Sequence, residues 1–208
     1  MRLLGGLLAI ATACLMGLGL GGWSAWKALE GDLFIARNQL GSWSAYTDLA
    51  APQGNPYASA KAAQIGGLPM GLAEGFEFTA TTDSDGAPLL AGCNYMLLGS
   101  VPQARLWTLD AVDEAGVSLL ADGAPQSGIN SRAIVHAPVE EAGRAGDGVD
   151  ALVIAVGPDP APGNWIQTQS SARLILTLRL YDTQVGSGVG VRDISLPRIV
   201  GGRAREGC

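Results

Sequence analysis

The chain has 208 residues, of which 48% are hydrophobic and 15% charged, and its formal net charge is −6. An acidic chain lacks the cationic surface on which nucleic-acid binding depends, so nucleic acid is excluded as a partner. The length allows about one domain. Beyond residue 50, glycines and prolines separate short apolar runs, which favours a turn-rich β architecture.

The first predicted element is an uncharged apolar segment from Leu3 to Gly22. About twenty helical residues span the hydrocarbon core of a bilayer, and Trp23 and Trp26 follow at the position of an interfacial aromatic belt. We therefore predict a transmembrane anchor over residues 1–23. A cleaved signal peptide and a lipoprotein signal cleaved before Cys14 stay open as alternatives. The flanking positive charges are balanced, so they do not give the orientation.

One face of this segment carries small residues at every fourth position. Such a face allows transmembrane helices to approach each other closely and to associate. We therefore expect a homo-oligomer formed through the anchor, with a helix-association face made of Gly5, Ala9, Ala13, Gly17 and Gly21.

Residues 24–70 are predicted to form a helical stalk and a short helix. Apolar and charged side chains alternate in a helix-compatible pattern up to about Leu49. Asn55 and Pro56 then combine an N-cap residue with a proline at the first helical position. This signal predicts a helix from Pro56 to about Ile65.

Residues 71–208 are predicted to form a mainly β domain. Phe76, Phe78 and Ala80 alternate with polar residues, as in a half-buried strand. The turn sequence at residues 83–86 predicts a hairpin. Its return strand and the later strands are predicted at Pro88–Leu98, Arg105–Val112, Val117–Leu120, Arg132–His136, Ala151–Val156, Ala172–Tyr181 and Ile194–Ile199. Short strands separated by turns predict an antiparallel β-sandwich or jelly-roll-like domain.

Several segments of this region resemble a bacterial family, the domain of unknown function 1214. They are Trp107-Thr108-Leu109 with Asp113-Glu114-Ala115-Gly116, Asn130-Ser131-Arg132, and Pro162-Gly163-Asn164-Trp165-Ile166 with Leu178-Arg179-Leu180-Tyr181. The sequence departs from the family pattern at Val112 and at Ile166-Gln167. The resemblance covers about residues 75–200, and it implies a β-sandwich-like fold without an agreed reaction.

The resemblance also implies a place in the cell and a partner. The chain looks like the short, membrane-anchored form found in bacterial envelopes. This form implies a single-pass protein of the inner membrane with its soluble domain in the periplasm. Larger members carry a preceding domain of unknown function 1254, so a protein with that domain is an expected partner.

The three cysteines are Cys14, Cys93 and Cys208. Cys14 lies in the apolar segment, which leaves one pair for the β domain. In an oxidising compartment Cys93 and Cys208 could form a disulfide, and two reduced thiols are the alternative.

Few residues in the sequence suggest catalysis. His136 is the single histidine, and we interpret it as a solvent-facing residue at a strand end. No cysteine or histidine spacing predicts a metal site, and no cofactor is expected. Asp110 and Asp113 could form a pair of catalytic carboxylates, but three residues apart on a strand they point to opposite faces.

The candidate ligand-binding or structural residues are Asn164, Trp165, Arg173, Arg179 and Trp107. Trp165 follows a proline-rich bend and either plugs the end of the sandwich or lines a groove. Arg173 and Arg179 lie opposite the leucines of their strand. They could pair with acids such as Glu74 or Glu77, or bind an anionic ligand.

Two functions remain open. The first is a non-catalytic envelope module that binds a partner, and the alternative is an envelope enzyme acting on a carbohydrate or small polar substrate. An open pocket with Trp165 and two or more carboxylates would favour the enzyme. A filled core at that place would favour the module.

Overall fold

The computed structural model describes residues 2–30, 35, 37–46, 55–65, 70–71, 74–119, 128–135, 152–169, 172–183 and 194–201. The helices within them are α1 (Arg2–Glu30) and α2 (Pro56–Ile65). The strands are β1 (Arg37–Leu40), β2 (Trp43–Tyr46), β3 (Gly75–Ala80), β4 (Tyr95–Gly99), β5 (Ala104–Val112), β6 (Ile129–Asn130), β7 (Leu152–Gly157), β8 (Asn164–Gln167), β9 (Ile175–Thr183) and β10 (Arg198–Gly201).

Helix α1 is a single helix of 29 residues that continues past the predicted anchor to Glu30. Its side chains are exposed from Gly5 to Lys27, and the most apolar 18-residue window within Gly5–Glu30 has a mean hydropathy of 1.7. By length and composition α1 can cross a membrane, as an anchor or as part of a signal sequence.

The predicted helical stalk is wrong beyond α1, because residues 37–46 form the antiparallel hairpin β1–β2. Gly41 adopts a left-handed conformation in its turn, with φ of 59°. The indole of Trp43 is buried and donates a hydrogen bond to the carbonyl oxygen of Pro197 at 2.7 Å. This long-range burial outweighs a weak helical pattern. Because β2 pairs with β3, the β region begins before residue 71.

The predicted second helix is confirmed with the same bounds, Pro56–Ile65. The side-chain oxygen of Asn55 accepts hydrogen bonds from the backbone N–H groups of Tyr57 at 3.0 Å and Ala58 at 3.3 Å. These contacts satisfy two N–H groups that have no partner within the helix. The ammonium of Lys61 donates to the carbonyl oxygen of Leu29 at 3.2 Å, so α2 contacts the last turn of α1.

Two sheets form the β region, and the predicted mainly β, sandwich-like fold is confirmed. The six-stranded sheet has the order β1-β2-β3-β9-β5-β6 and is antiparallel throughout. The four-stranded sheet has the order β10-β4-β7-β8, with β7 and β8 parallel. Both sheets supply the shared apolar core, which includes Phe78, Leu97, Leu109, Ile154, Ile166, Leu176, Leu178 and Ile199.

The predicted return strand at Pro88–Leu98 is correct only in its last part, from Tyr95, which is strand β4 and pairs in the other sheet. The turn before it is present. Asp83 closes this turn, since its Oδ1 accepts hydrogen bonds from the N–H groups of Asp85 and Ala87. Two isolated bridges follow, from Thr82 to Pro88 and from Leu90 to Arg173. The chain then buries Leu89 and crosses to the other sheet, where β4 begins.

Other strand predictions differ in extent. The predicted strand at Val117–Leu120 is reduced, within the described residues, to one bridge between Val112 and Ser118. Residues 131–133 form a turn, and the strand lies before them as β6; His136 lies outside the described residues. The prediction for β9 is confirmed, with Leu174, Leu176, Leu178 and Leu180 all buried.

The outer edge of β10 is occupied by Ser84. The N–H of Ser84 donates to the carbonyl oxygen of Ile199 at 2.8 Å, and the N–H of Ile199 donates to Ser84 Oγ at 3.0 Å. The turn after β3 thus provides hydrogen-bond partners for the backbone N–H and C=O groups of Ile199 that point away from β4.

Candidate functional site

The most developed polar arrangement on the described residues lies at the centre of the six-stranded sheet, on its outer face. Strand β9 runs between β3 and β5, and its leucines face the core, so Arg179 faces outward. Glu77 on β3 is the register partner of Arg179, and Asp110 extends from β5. We call Glu77, Asp110 and Arg179 the outer-face cluster.

Arg179 bonds both carboxylates of the cluster. Its Nε donates to Glu77 Oε2 at 2.7 Å, and its Nη1 donates to Asp110 Oδ2 at 2.9 Å. The side chains of Arg179, Glu77 and Asp110 are 34%, 44% and 27% exposed. One guanidinium therefore holds two half-buried carboxylates through charge-assisted hydrogen bonds, and the cluster keeps a net negative charge.

The pKa of the Asp110 carboxyl is raised above its usual value of 3.8. Burial is the largest cause, because a partly desolvated site disfavours the charged form. The Arg179 guanidinium opposes this rise, while repulsion from Glu77 adds to it. The cluster therefore contains a carboxylate that its surroundings do not fully compensate.

The Arg179 guanidinium lies between the two carboxylates of the outer-face cluster. A pair of catalytic carboxylates must leave room for the substrate bond between them, and here the Arg179 guanidinium fills that position. The exposed edges of the three side chains offer both donors and acceptors to a polar partner. Asp113, considered above as a catalytic partner of Asp110, closes the next turn by accepting hydrogen bonds from the N–H groups of Ala115 and Val117.

Asn164 lies away from the cluster and is bonded to two other segments. Its Oδ1 accepts from the N–H of Val135 at 2.7 Å, and its Nδ2 donates to the carbonyl oxygens of Val135 at 2.7 Å and Val153 at 2.9 Å. The residue is 8% exposed. Its amide ties the 128–135 segment to β7, which is a structural role.

Trp165 is half-buried beside Ala155 of β7, and its indole donates to the carbonyl oxygen of Gly157 at 3.1 Å. Its neighbour Ile166 fills the core at this point, so Trp165 does not plug the sandwich. A pocket of about 170 Å³ on β4 and β7 is lined by Asn94, Tyr95, Met96, Ala155, Val156, Asp159, Pro160 and Ala161. Trp165 is not among these residues, and Asp159 is the one carboxylate.

The remaining candidates are dispersed. Trp107 is buried in the core on the inner side of β5. Arg173 lies 3.6 Å from Glu114, and both side chains are largely exposed, so the pair is a weak surface contact. Cys93 is disulfide-bonded and Cys14 is free, while Cys208 lies outside the described residues.

The sequence suggested only part of the cluster. The sequence predicts Glu77 as an acid that Arg179 could reach, but it suggests for Asp110 only a catalytic pair with Asp113, which the alternation along a strand argues against. Asp110 reaches Arg179 because β5 lies beside β9 in the sheet. No pattern along the chain gives the order of strands in a sheet. A polar residue between the buried Leu109 and Ala111 was the available signal.

Residues 74–185 match the model of a family described as Protein of unknown function (DUF1214). None of the curated proteins matches the chain. The VPA0106 protein from Vibrio parahaemolyticus is similar in structure, with 13% identity and a TM-score of 0.57 over 90% of this chain and 44% of that chain. A putative uncharacterized protein from Burkholderia cenocepacia has 14% identity and a TM-score of 0.37 over 64% of this chain and 31% of that chain. The chain spans less than half the length of either protein.

Proposed function

Since the chain belongs to the DUF1214 family of proteins of unknown function, we propose that it is a membrane-anchored member whose β-sandwich binds a partner protein without catalysing a reaction. The position of Arg179 carries the proposal. Its guanidinium bonds Glu77 and Asp110 at once, which leaves a charged, partly exposed surface in place of a gap for a substrate.

We place the anchor in the bacterial inner membrane and the β-sandwich in the periplasm. The exposed apolar length of α1 supports a membrane location. The disulfide bond at Cys93 supports an oxidising compartment for the sandwich, because such bonds persist outside the cytoplasm. Protease added to spheroplasts should degrade the sandwich, whereas protection until the inner membrane is broken would contradict this orientation.

The partner is a protein, and one carrying the domain of unknown function 1254 is the first to test. The detergent-solubilised protein would be captured from its own membranes, as the wild type and as Glu77→Gln. This change removes a charge that is 44% exposed, so we expect less partner to be recovered.

Arg105→Gln is the matched control, because Arg105 is 79% exposed and lies 3.6 Å from Asp182. It should capture as much partner as the wild type. Recovery of no stable partner would contradict the binding function, and equal capture by Glu77→Gln would show that the outer-face cluster is not the surface used.

We also propose that α1 self-associates through the face made of Gly5, Ala9, Ala13, Gly17 and Gly21. At Gly5, Gly17 and Gly21 the space beside the backbone is open, so a second helix has room to approach. In a membrane two-hybrid assay Gly17→Ile should abolish the signal, while Leu18→Ile, at the adjacent position, should not. A signal unchanged by Gly17→Ile would contradict the proposal.

A further inference from the structure

The outer face of the four-stranded sheet carries a row of apolar side chains. The strand register places one residue of each strand in this row: Val200, Met96, Ala155 and Trp165. Residues that pair across neighbouring strands lie on the same side of a sheet, and the next residues along the strands, such as Leu97 and Ile199, belong to the core. The row therefore points away from the core. Met96 and Val200 are each 37% exposed, and Trp165 is half-buried.

A second row continues this apolar surface. Leu98 on β4 pairs with Val153 on β7 and with Arg198 on β10, and both apolar side chains are partly exposed. Strands that are buried on both faces are apolar almost without interruption, and β7 reads Leu-Val-Ile-Ala-Val-Gly. The sequence of β7 therefore suits a sheet whose outer face is covered as well.

A pocket opens in this surface between the sheet and the connection from β7 to β8. It has a volume of about 170 Å³, and Met96, Ala155 and Pro160 are among its lining residues. The side chain of Asn94 holds the connection, because its Nδ2 donates to Asp159 Oδ2 at 2.7 Å and its Oδ1 accepts from the N–H of Asp159 at 3.3 Å. An apolar cavity of about 150 Å³ accommodates a benzene ring. The pocket therefore has the size for one large apolar side chain.

Arg198 is the charged residue at the edge of this surface. It is exposed, and it forms no ion pair with any described residue. By register it lies two strands and two residues away from Ala155, which is about 12 Å between Cα atoms. An unpaired guanidinium beside an apolar surface favours a carboxylate in whatever binds there.

The area of the face distinguishes a single segment from a folded domain. Four strands about 4.8 Å apart and two rows about 7 Å apart give a face of roughly 250 Å². A stable interface between two folded proteins buries about 800 Å² on each partner. The face is thus too small for a second copy of the chain or for another whole domain, and it matches one segment.

We propose that this face binds one amphipathic segment of the partner protein, which inserts an apolar side chain into the pocket and sets a carboxylate against Arg198. The inference rests on the proposed partner-binding function and adds a second surface to it. The two sheets share one core, so this face lies on the opposite side of the sandwich from the outer-face cluster. The two contacts are therefore tested separately.

The first test measures the chemistry of the face with the full chain in nanodiscs and isotope-labelled methionine methyl groups. The probe is phenylbutyrate, which joins an apolar ring to a carboxylate, and phenylbutanol is its uncharged counterpart. The methyl signal of Met96 reports on the pocket, and that of Met16, exposed on α1, reports on probe dissolved in the lipid. We expect both probes to shift the Met96 signal, with phenylbutyrate bound about two- to five-fold more tightly.

Arg198→Gln should remove the difference between the two probes. Arg105→Gln, which changes an arginine that is 79% exposed on the other sheet, should keep it. Ala155→Leu fills the pocket and should weaken both probes at Met96. Because Arg198 has no partner among the described residues, its variant tests the inference even if Ala155→Leu does not fold. Shifts at Met16 with none at Met96, or an unchanged preference in Arg198→Gln, would overturn the inference.

The second test identifies the occupant. The photo-crosslinking residue p-benzoylphenylalanine replaces Met96, and native membranes are irradiated. We expect a crosslink to a different protein that Arg198→Glu abolishes and Arg105→Glu does not. A crosslink to a second copy or to lipid would overturn this inference, as would no crosslink while a partner is still captured; each would leave the partner-binding function standing. Failure to capture any partner would overturn the function and this inference together.

Discussion

At the edge of the four-stranded sheet, the side-chain amide of Asn164 uses both of its functional atoms inside the protein. Its oxygen and nitrogen bond the backbone of Val135 and Val153. Asn164 itself is 8% exposed, and a buried side-chain amide without hydrogen-bond partners would be costly. Asn164, a ligand candidate in the sequence, is thus a hydrogen-bond partner of the surrounding backbone.

Asn164→Ala should lower the free energy of unfolding by about 1–3 kcal/mol, because it removes the three hydrogen bonds by which a buried amide joins two segments. Gln167→Ala on the same strand is the control, with an expected change within about 0.5 kcal/mol. Urea denaturation followed by tryptophan fluorescence measures both. Equal losses would contradict the structural role of Asn164.

The raised pKa of Asp110 predicts a pH dependence of stability. A carboxyl whose pKa is higher in the folded state binds more protons there, so stability falls as pH rises. The contribution is complete below the ordinary value of 3.8 and is lost as pH rises through the raised pKa. The difference in unfolding free energy between wild type and Asp110→Asn should therefore fall from about pH 4 upward. A constant difference would contradict the assignment.

At the scale of elements, local signals predicted α2 and β9 well. The cap at Asn55 and the alternating leucines of β9 act within a few residues, so the sequence carries them directly. The hairpin β1–β2 was missed because the burial of Trp43 depends on Pro197, far along the chain. The sequence does not predict that the chain crosses to the four-stranded sheet after Pro88, because the crossing depends on the order of the strands.

The candidate site follows the same division. That Arg179 faces away from the core follows from alternation along β9, and a partner such as Glu77 was foreseen. That Asp110 is the second partner requires β5 to lie beside β9. The sequence therefore predicts that Arg179 is a charged residue on the outer face of β9. It does not predict which residues of the neighbouring strands contact it.

Strand β9 is central, since it pairs with β3 on one side and β5 on the other. Leu176→Ala should lower the free energy of unfolding by about 2–5 kcal/mol, because it leaves a cavity at a fully buried position. Val200→Ala, at a position 37% exposed, should cost much less. Thermal or urea unfolding of the two variants checks the contrast, and similar losses would contradict the assigned core.

At the scale of the whole molecule, a disulfide adds to the core between the two sheets. Reduction of the wild type should lower its free energy of unfolding by about 2–4 kcal/mol. Cys93→Ala should show little further loss on reduction, and Cys14→Ser should behave as the wild type because Cys14 is free and exposed. A wild type insensitive to reductant would contradict this contribution.

Ser84 has a consequence for how the protein meets other chains. An uncovered edge strand offers its backbone groups to any passing strand, which leads to aggregation or to recognition by strand addition. Ser84 engages both backbone groups of Ile199 that face away from β4. At Ile199 no further strand can therefore pair with β10 unless Ser84 is displaced, so we expect a partner to recognise side chains or another edge rather than this strand.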